Sequence, residues 1–331
     1  MEDMRDHVHA PRRIAVTSRS FSRHSVLRNE LIERYPSADV AFNDGGLSWN
    51  GAALIEYLRG YDHAIVSLER VDAAVISALP ELKVISKYGV GLDMLDLDAM
   101  EAHGVNLGWT PGVNRRAVAE LVVCFAIALL RHVPTLSRQA SEGSWRPVNG
   151  AQLSGRTIGI IGCGRVGKDV VQLLKTFGCR ILAYDTVEYP KFYAKNDVKS
   201  VDLTELLCCS DIVTLHTPLD ESTRYILSAE RLAKMRPEAI LINVARGGLV
   251  DEVALKEMLS DGRLAAAGFD VFATEPPENL SLLALPNFLA TPHIGGSSEE
   301  AILAMGRAAI DGLADHGRPW EMVLAPAPDG F

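Results

Sequence analysis

The chain has 331 residues, a formal net charge of −9 and 48% hydrophobic residues. That length suits two domains with sizeable cores. The acidic balance argues against nucleic acid or an anionic membrane as the main partner. The longest apolar run, Leu121–Leu130, is about half a membrane span. The N-terminus shows no apolar leader core. The five cysteines show no metal-ligand spacing. A cytoplasmic, reduced protein with no metal is the expectation.

The predicted elements alternate strand and helix from the start. Arg13–Thr17 reads as a strand and Ser25–Tyr35 as an amphipathic helix stopped by Pro36. Ala52–Arg59 is a helix, Ala64–Ser67 a strand, and Val71–Ala78 a helix before Pro80. Leu82–Ser86 is a strand running into Lys87-Tyr88-Gly89-Val90-Gly91. Asp96–His103 is a helix ending at Gly104, and Val105–Leu107 a short strand. This alternation predicts a parallel sheet flanked by helices. The Thr110-Pro111-Gly112 turn marks a boundary. Asn114 then caps a helix, Arg115–Arg131, apolar nearly all round, which predicts burial on most of its faces.

A second series follows. Its strands are Thr157–Ile161, Arg180–Tyr184, Ile212–Leu215, Ala239–Asn243, Ala266–Asp270 and Phe288–Ala290, with helices between them. Ser297–His316 is the last helix, with Glu299 and Glu300 in its first turn. The expected class is α/β, with two doubly wound domains.

The most informative stretch is Ile158–Asp185. An apolar strand meets Gly162-Cys163-Gly164-Arg165-Val166-Gly167, a helix follows, and a second strand ends in Asp185. Gly162 permits a tight turn, Gly164 lets backbone approach a pyrophosphate, and Gly167 lets helix pack on strand. The helix N-terminus offers N–H groups to phosphate. Asp185 follows about twenty residues on, where a ribose-binding acid belongs. Its charge repels a 2′-phosphate, and Thr186, Val187 and Glu188 offer no cation to receive one. The cofactor expectation is NAD.

Three strand-end loops carry polar groups: Asn243–Gly248 with Arg246, Asp270–Pro276 with Glu275, and Thr291–Gly296 with His293. Ligands of open α/β sheets bind beyond the carboxyl ends of the strands. Arg grips a carboxylate bidentately. His can protonate a developing alkoxide and recharge near neutral pH, and a carboxylate fixes its tautomer. That set suits hydride transfer to a 2-keto acid: His293 as acid/base, Glu275 as its partner, Arg246 as carboxylate anchor. His216, at a strand end, is the rival histidine and reads as lining the cofactor cleft.

The motifs KYGVGLDMLD, GIIGCGRVGKDV, NVARGGLVDE, GFDVFATEPP and TPHIGG make the chain resemble the D-2-hydroxyacid dehydrogenase family, in its phosphoglycerate dehydrogenase-like branch. The resemblance covers about residues 50–318. It implies a Rossmann NAD-binding domain, 113–297, inserted into a flavodoxin-like substrate domain, 1–112 and 298–331. It implies catalytic roles for Arg246, Glu275 and His293, and substrate contacts from the backbone of Val90 and Gly91. It further implies cofactor contacts from Arg165, Val166, Thr217, Pro218, Val244, Asp270 and Gly295, with Asp270 on the nicotinamide carboxamide. A homodimer built on the nucleotide domains is implied too, and no regulatory domain of the long phosphoglycerate dehydrogenases is expected. Family members using phosphorylated substrates place a cation at the position of Lys87. The substrate expectation is therefore a 2-keto or D-2-hydroxy acid with a second anionic group. Two alternatives stay open. One is an NAD-sensing, corepressor-like binding protein, which can keep the same triad. The other is a dehydrogenase for phosphite or a phosphonate. Formate enzymes of the family carry Gln where this chain has Glu275, which argues against formate.

Overall fold

Two all-parallel sheets organise the chain. The computed structural model describes residues 11–278 and 280–324. It divides into two units. One runs to Asn114 and resumes at Glu299; the other spans Arg115–Ser298.

In chain order the first unit contains β1 (Arg13–Val16), α1 (Arg19–Arg23), α2 (Ser25–Arg34), β2 (Asp39–Phe42), α3 (Gly51–Leu58), β3 (His63–Val66), α4 (Ala73–Ser77), β4 (Val84–Lys87), α5 (Leu97–Ala102) and β5 (Asn106–Gly108). Its sheet has the order β2-β1-β3-β4-β5. Ile14–Val16 and all of β3 and β4 are buried. Helices cover both faces of such a sheet, so its central strands are continuous apolar runs. The edge strand β2 and the short helix α1 depart from the sequence expectation. Its sequence DVAF is only half-buried, and so lacks the apolar run of its neighbours.

The second unit contains α6 (Arg115–Leu130), α7 (Val133–Ser141), β6 (Thr157–Ile161), α8 (Arg165–Lys175), β7 (Arg180–Tyr184), α9 (Pro190–Asn196), β8 (Val198–Ser200), α10 (Leu203–Cys209), β9 (Ile212–Leu215), α11 (Ala229–Leu232), β10 (Ile240–Asn243), α12 (Glu252–Ser260), β11 (Ala266–Phe269) and β12 (Phe288–Ala290). The order is β12-β11-β10-β9-β6-β7-β8, so the winding reverses between β6 and β9. That reversal opens a crevice beyond the strand ends. Two last helices, α13 (Glu299–Asp311) and α14 (Pro319–Leu324), return to the first unit. There the Ser86 hydroxyl donates to the Ala309 carbonyl at 2.7 Å, tying α13 to β4.

Two local readings change. Asn114 does not cap α6 through its side-chain oxygen: Oδ1 is buried and has no hydrogen-bond partner among the described residues. The helix start is instead held by Arg116, which donates to Asp169 of α8 at 2.6 Å, with Arg115 at 4.0 Å from the same carboxylate. The helix α6, read as buried on most of its faces, buries one face within the single chain. Val118, Ala119, Val122, Phe125, Ala126 and Leu129 form one buried stripe, while Cys124 and Ile127 face outward. The stripe follows helical periodicity. Burying a side chain such as Phe125 contributes about 1.5–3 kcal/mol. Among the described residues, no single helix is long and apolar enough to cross a membrane.

Candidate active site

The turn after β6 is built around glycine geometry. Gly162 has φ 90°, and a Cβ there would lie 2.8 Å from the His216 carbonyl carbon. A Cβ on Gly167 would lie 2.2 Å from the Gly162 oxygen. Gly164 is the N-cap of α8 and provides no side-chain cap. The N–H groups of the first turn, where Arg165 and Val166 sit, are thus left for an anion.

Asp185 follows β7. Its Oδ2 accepts the Cys163 N–H at 2.6 Å, and its Oδ1 accepts the Val187 N–H at 2.9 Å. The carboxylate is therefore fixed beside the glycine turn, with a further lone pair on each oxygen for hydroxyl donors. Lys168 stacks its ammonium 3.6 Å from the centre of the Tyr189 ring, and burial pushes its pKa down. Thr217, just beyond β9, has a buried hydroxyl with no hydrogen-bond partner among the described residues, and Pro218 next to it is exposed. An uncapped helix end, a fixed carboxylate and an orphaned hydroxyl fit a dinucleotide. His216 shares a 3.0 Å hydrogen bond with the Thr214 hydroxyl, and burial pushes its pKa down to about 3. It is neutral near pH 7 and unsuited to donating a proton as an imidazolium.

Beyond β10, the fully buried Asn243 shapes the arginine loop. Its Oδ1 accepts the Ala245 N–H at 3.1 Å, and its Nδ2 donates to the Arg246 carbonyl at 2.8 Å. Val244 is only 7% exposed and packs into the core. Arg246 donates from Nη1 to the Ala245 carbonyl at 2.7 Å. A Cβ on Gly247 would fall 1.9 Å from the Phe272 carbonyl carbon. The Arg246 loop is thus pressed directly onto the loop that carries Glu275.

Glu275 joins two loops. Its Oε1 accepts the Phe272 N–H at 3.0 Å, and its Oε2 lies 2.7 Å from His293 Nδ1. His293 adopts a left-handed backbone, φ 54°, a conformation in which His is enriched among non-glycine residues. Asp270 holds that geometry. It is 1% exposed. Its Oδ1 accepts from the Thr291 hydroxyl at 2.5 Å and from the Ile294 N–H at 2.7 Å, and its Oδ2 from the Gly295 N–H at 2.7 Å. The Asp270 carbonyl also accepts the His293 N–H at 2.9 Å. Asp270 and Gly295, expected as cofactor contacts, thus bond each other and shape the His293 loop.

Sequence reasoning missed this ordering role of Asp270 and Asn243, and it missed Glu252. Glu252 accepts the Ala273 N–H at 2.9 Å. Desolvation, with the nearby Glu275 charge, pushes its pKa up. Its place after the helix cap Asp251, in NVARGGLVDE, is the one signal that could have flagged it. Lys87, Val90 and Gly91 belong to the first unit. Lys87 is 4% exposed, and its ammonium donates to the Ser67 carbonyl. The Val90 carbonyl accepts the Trp109 indole N–H at 3.1 Å.

The family model described as D-isomer specific 2-hydroxyacid dehydrogenase, NAD binding domain, matches residues 123–295. D-3-phosphoglycerate dehydrogenase of Methanocaldococcus jannaschii is 40% identical over 258 residues, 76% of this chain and 49% of that protein. Hydroxypyruvate reductase of Thermotoga maritima is 40% identical over 250 residues, 74% of this chain and 81% of that protein. The crystal structure of a glyoxylate reductase from Paecilomyes thermophila superposes with a TM-score of 0.80 at 26% identity, covering 91% of this chain and 93% of that one. The chain spans about half the length of the phosphoglycerate dehydrogenases it matches. A matching family model over the nucleotide unit, and relatives aligned across about three quarters of the chain, lead to one conclusion: the chain belongs to the D-isomer-specific 2-hydroxyacid dehydrogenase family.

Proposed function

We propose that the protein is an NAD-dependent dehydrogenase interconverting a 2-keto acid and a D-2-hydroxy acid. The observation that carries this reading is the 2.7 Å pairing of His293 Nδ1 with Glu275, on loops at the strand ends of a sheet whose switch point holds a dinucleotide turn. Gly162–Gly167 and Asp185 would hold NAD(H), which when bound would supply or accept the hydride. Arg246 anchors the substrate carboxylate with its planar fork. During reduction, His293 donates the proton on Nε2 to the carbonyl oxygen as charge develops there. The Nδ1 proton stays shared with Glu275, which fixes the tautomer and stabilises the imidazolium before transfer. In oxidation Nε2 takes the hydroxyl proton back.

NADH oxidation against glyoxylate, hydroxypyruvate, phosphohydroxypyruvate, 2-ketoglutarate and branched 2-keto acids tests this. Turnover with at least one is expected; none with either NADH or NADPH would refute the reading and favour a sensing protein. Two substitutions sharpen it. Glu275→Gln keeps an acceptor for Nδ1–H but removes the charge. A charge-assisted bond contributes about 1.5–3 kcal/mol, so kcat should fall roughly ten- to a hundredfold with NADH affinity unchanged. A kcat within twofold of wild type would dismiss the pairing. Asp185→Ser should weaken NADH binding and narrow its advantage over NADPH. It removes two ribose acceptors, the repulsion of a 2′-phosphate, and the anchor for the Cys163 and Val187 amides. Dissociation constants from NADH fluorescence check this; a wild-type preference for NADPH would sink the assignment.

We also propose a cytoplasmic homodimer. Five free thiols, with Cys124, Cys208 and Cys209 exposed, suit a reducing compartment. The outward residues Ile127, Val133, Trp145 and Val148 of the nucleotide unit, 39% to 88% exposed, suit a subunit contact. Sedimentation velocity should give twice the monomer mass.

A further inference from the structure

The turn that presents Glu275 carries little support of its own. Phe272 is anchored in the core, its ring centre 6.2 Å from that of Phe269 and 6.3 Å from that of Phe288. Beyond it Ala273, Thr274 and Glu275 are exposed. Among the described residues, no backbone amide or carbonyl from Val271 to Glu275 makes a backbone–backbone hydrogen bond. Two carboxylates take that place. The Phe272 N–H goes to Oε1 of Glu275, within the turn, and the Ala273 N–H goes to Oε1 of Glu252, outside it, at 2.9 Å. The other oxygen of Glu275 is committed to His293.

Glu252 is itself placed by independent contacts. It is the first residue of α12, whose cap Asp251 accepts the Val253 and Ala254 N–H groups at 3.1 and 3.0 Å. The Asp251 N–H donates to the Leu227 carbonyl at 3.0 Å. An acid in a first helical turn is favoured there when it stays solvated. Burial, and then the charge of Glu275, instead push the pKa of Glu252 up, so its ionised form is held at a cost. Groups kept against such a cost cluster at functional sites. The stretch NVARGGLVDE thus meets the Glu275 turn twice, with Gly247 pressed on the Phe272 carbonyl and Glu252 on the Ala273 amide.

We propose that Glu252 is a positioning residue for the proton donor: by holding the Ala273 amide, it fixes the turn from which Glu275 reaches His293 Nδ1. It touches no reacting atom and acts through Glu275. The inference rests on the keto-acid reading above, and it assigns the effect to the hydrogen bond rather than to the charge of Glu252.

Three substitutions separate the bond from the charge. E252A removes both. E252D keeps the charge but falls one methylene short of the amide. E252Q keeps an acceptor oxygen and loses the charge. kcat and KM are measured with the keto acid that the wild type reduces best, with NADH affinity and Tm for each variant. E252A and E252D should lose kcat roughly ten- to a hundredfold, the cost of a slightly misplaced catalytic group, with NADH affinity unchanged. E252Q should recover most of that loss. It should also melt no lower than wild type, since it keeps the bond and drops a charge that burial and Glu275 disfavour. Hydrogen exchange should show the Ala273 amide losing protection in E252A and keeping it in E252Q. Should E252A fail to fold, E252D against E252Q carries the same comparison. A kcat within twofold of wild type in folded E252A or E252D overturns the proposal. So does E252Q falling as far as they do, which would assign the effect to the charge. If the wild type reduces no keto acid, the functional reading fails by itself. Exchange at Ala273 then decides the anchor: protection lost in E252A and kept in E252Q upholds it, and equal protection in both removes it.

Discussion

Replacing His293 with alanine should cost roughly 10²–10⁴-fold in the rate of keto-acid reduction, the usual worth of a general acid. NADH binding should barely change. The side chain contacts Glu275 through Nδ1 at 2.7 Å, and the elements expected to hold the dinucleotide lie elsewhere, at Gly162–Gly167 and Asp185. The loss should appear in kcat and in single-turnover hydride transfer monitored at the NADH absorbance. A second consequence follows from the backbone. His293 holds φ 54°, so removing its ring also removes the Glu275 contact that helps fix a sparsely populated conformation. Glycine at this position should lose the same chemistry but relax the backbone cost. His293→Gly should therefore match His293→Ala in rate while melting no lower. A variant that keeps near-normal reduction would show that the proton comes from another group.

Much of this site is legible because its signals are local. The glycine turn, the strands on either side of it and Asp185 fall within one short stretch, each position set by its neighbours. Arg246, Glu275 and His293 are legible because strand-end loops follow apolar runs, and residue chemistry narrows their roles. What escaped depends on distance in sequence. Lys87 reads as a cation on a loop, and the Ser67 carbonyl to which its ammonium donates lies 20 residues earlier. Arg116 opens a helix, and its carboxylate partner is Asp169, 53 residues on. Strands β2 and β8 are short edge strands, with half-buried or exposed residues in DVAF and VKS, so neither leaves an apolar run to read.

Asp270→Asn should damage both stability and catalysis without touching a reacting atom. The carboxylate accepts three hydrogen bonds in a site 1% exposed: from the Thr291 hydroxyl and Ile294 N–H at Oδ1, and from the Gly295 N–H at Oδ2. The asparagine amide has nearly the same shape but one acceptor oxygen. Whichever way it turns, an NH₂ group must face a backbone N–H or the threonine hydroxyl. One buried donor is left unmatched, at a cost of about 1–3 kcal/mol. Turning the oxygen toward Thr291 and Ile294 is the better choice, since it preserves two bonds and leaves only Gly295 opposed. The loop then loosens on the Gly295 side, two residues beyond His293. Misplacement of about 1 Å in a catalytic group can cost on the order of 10²-fold in rate, so kcat should fall well beyond what the stability loss alone explains. Hydrogen exchange should report it too, with the Gly295 amide losing protection while those of β11 keep theirs. Wild-type kcat with intact exchange protection at Gly295 would mean that the loop is held by its own backbone bonds, and that the Asp270 carboxylate is not what positions the histidine.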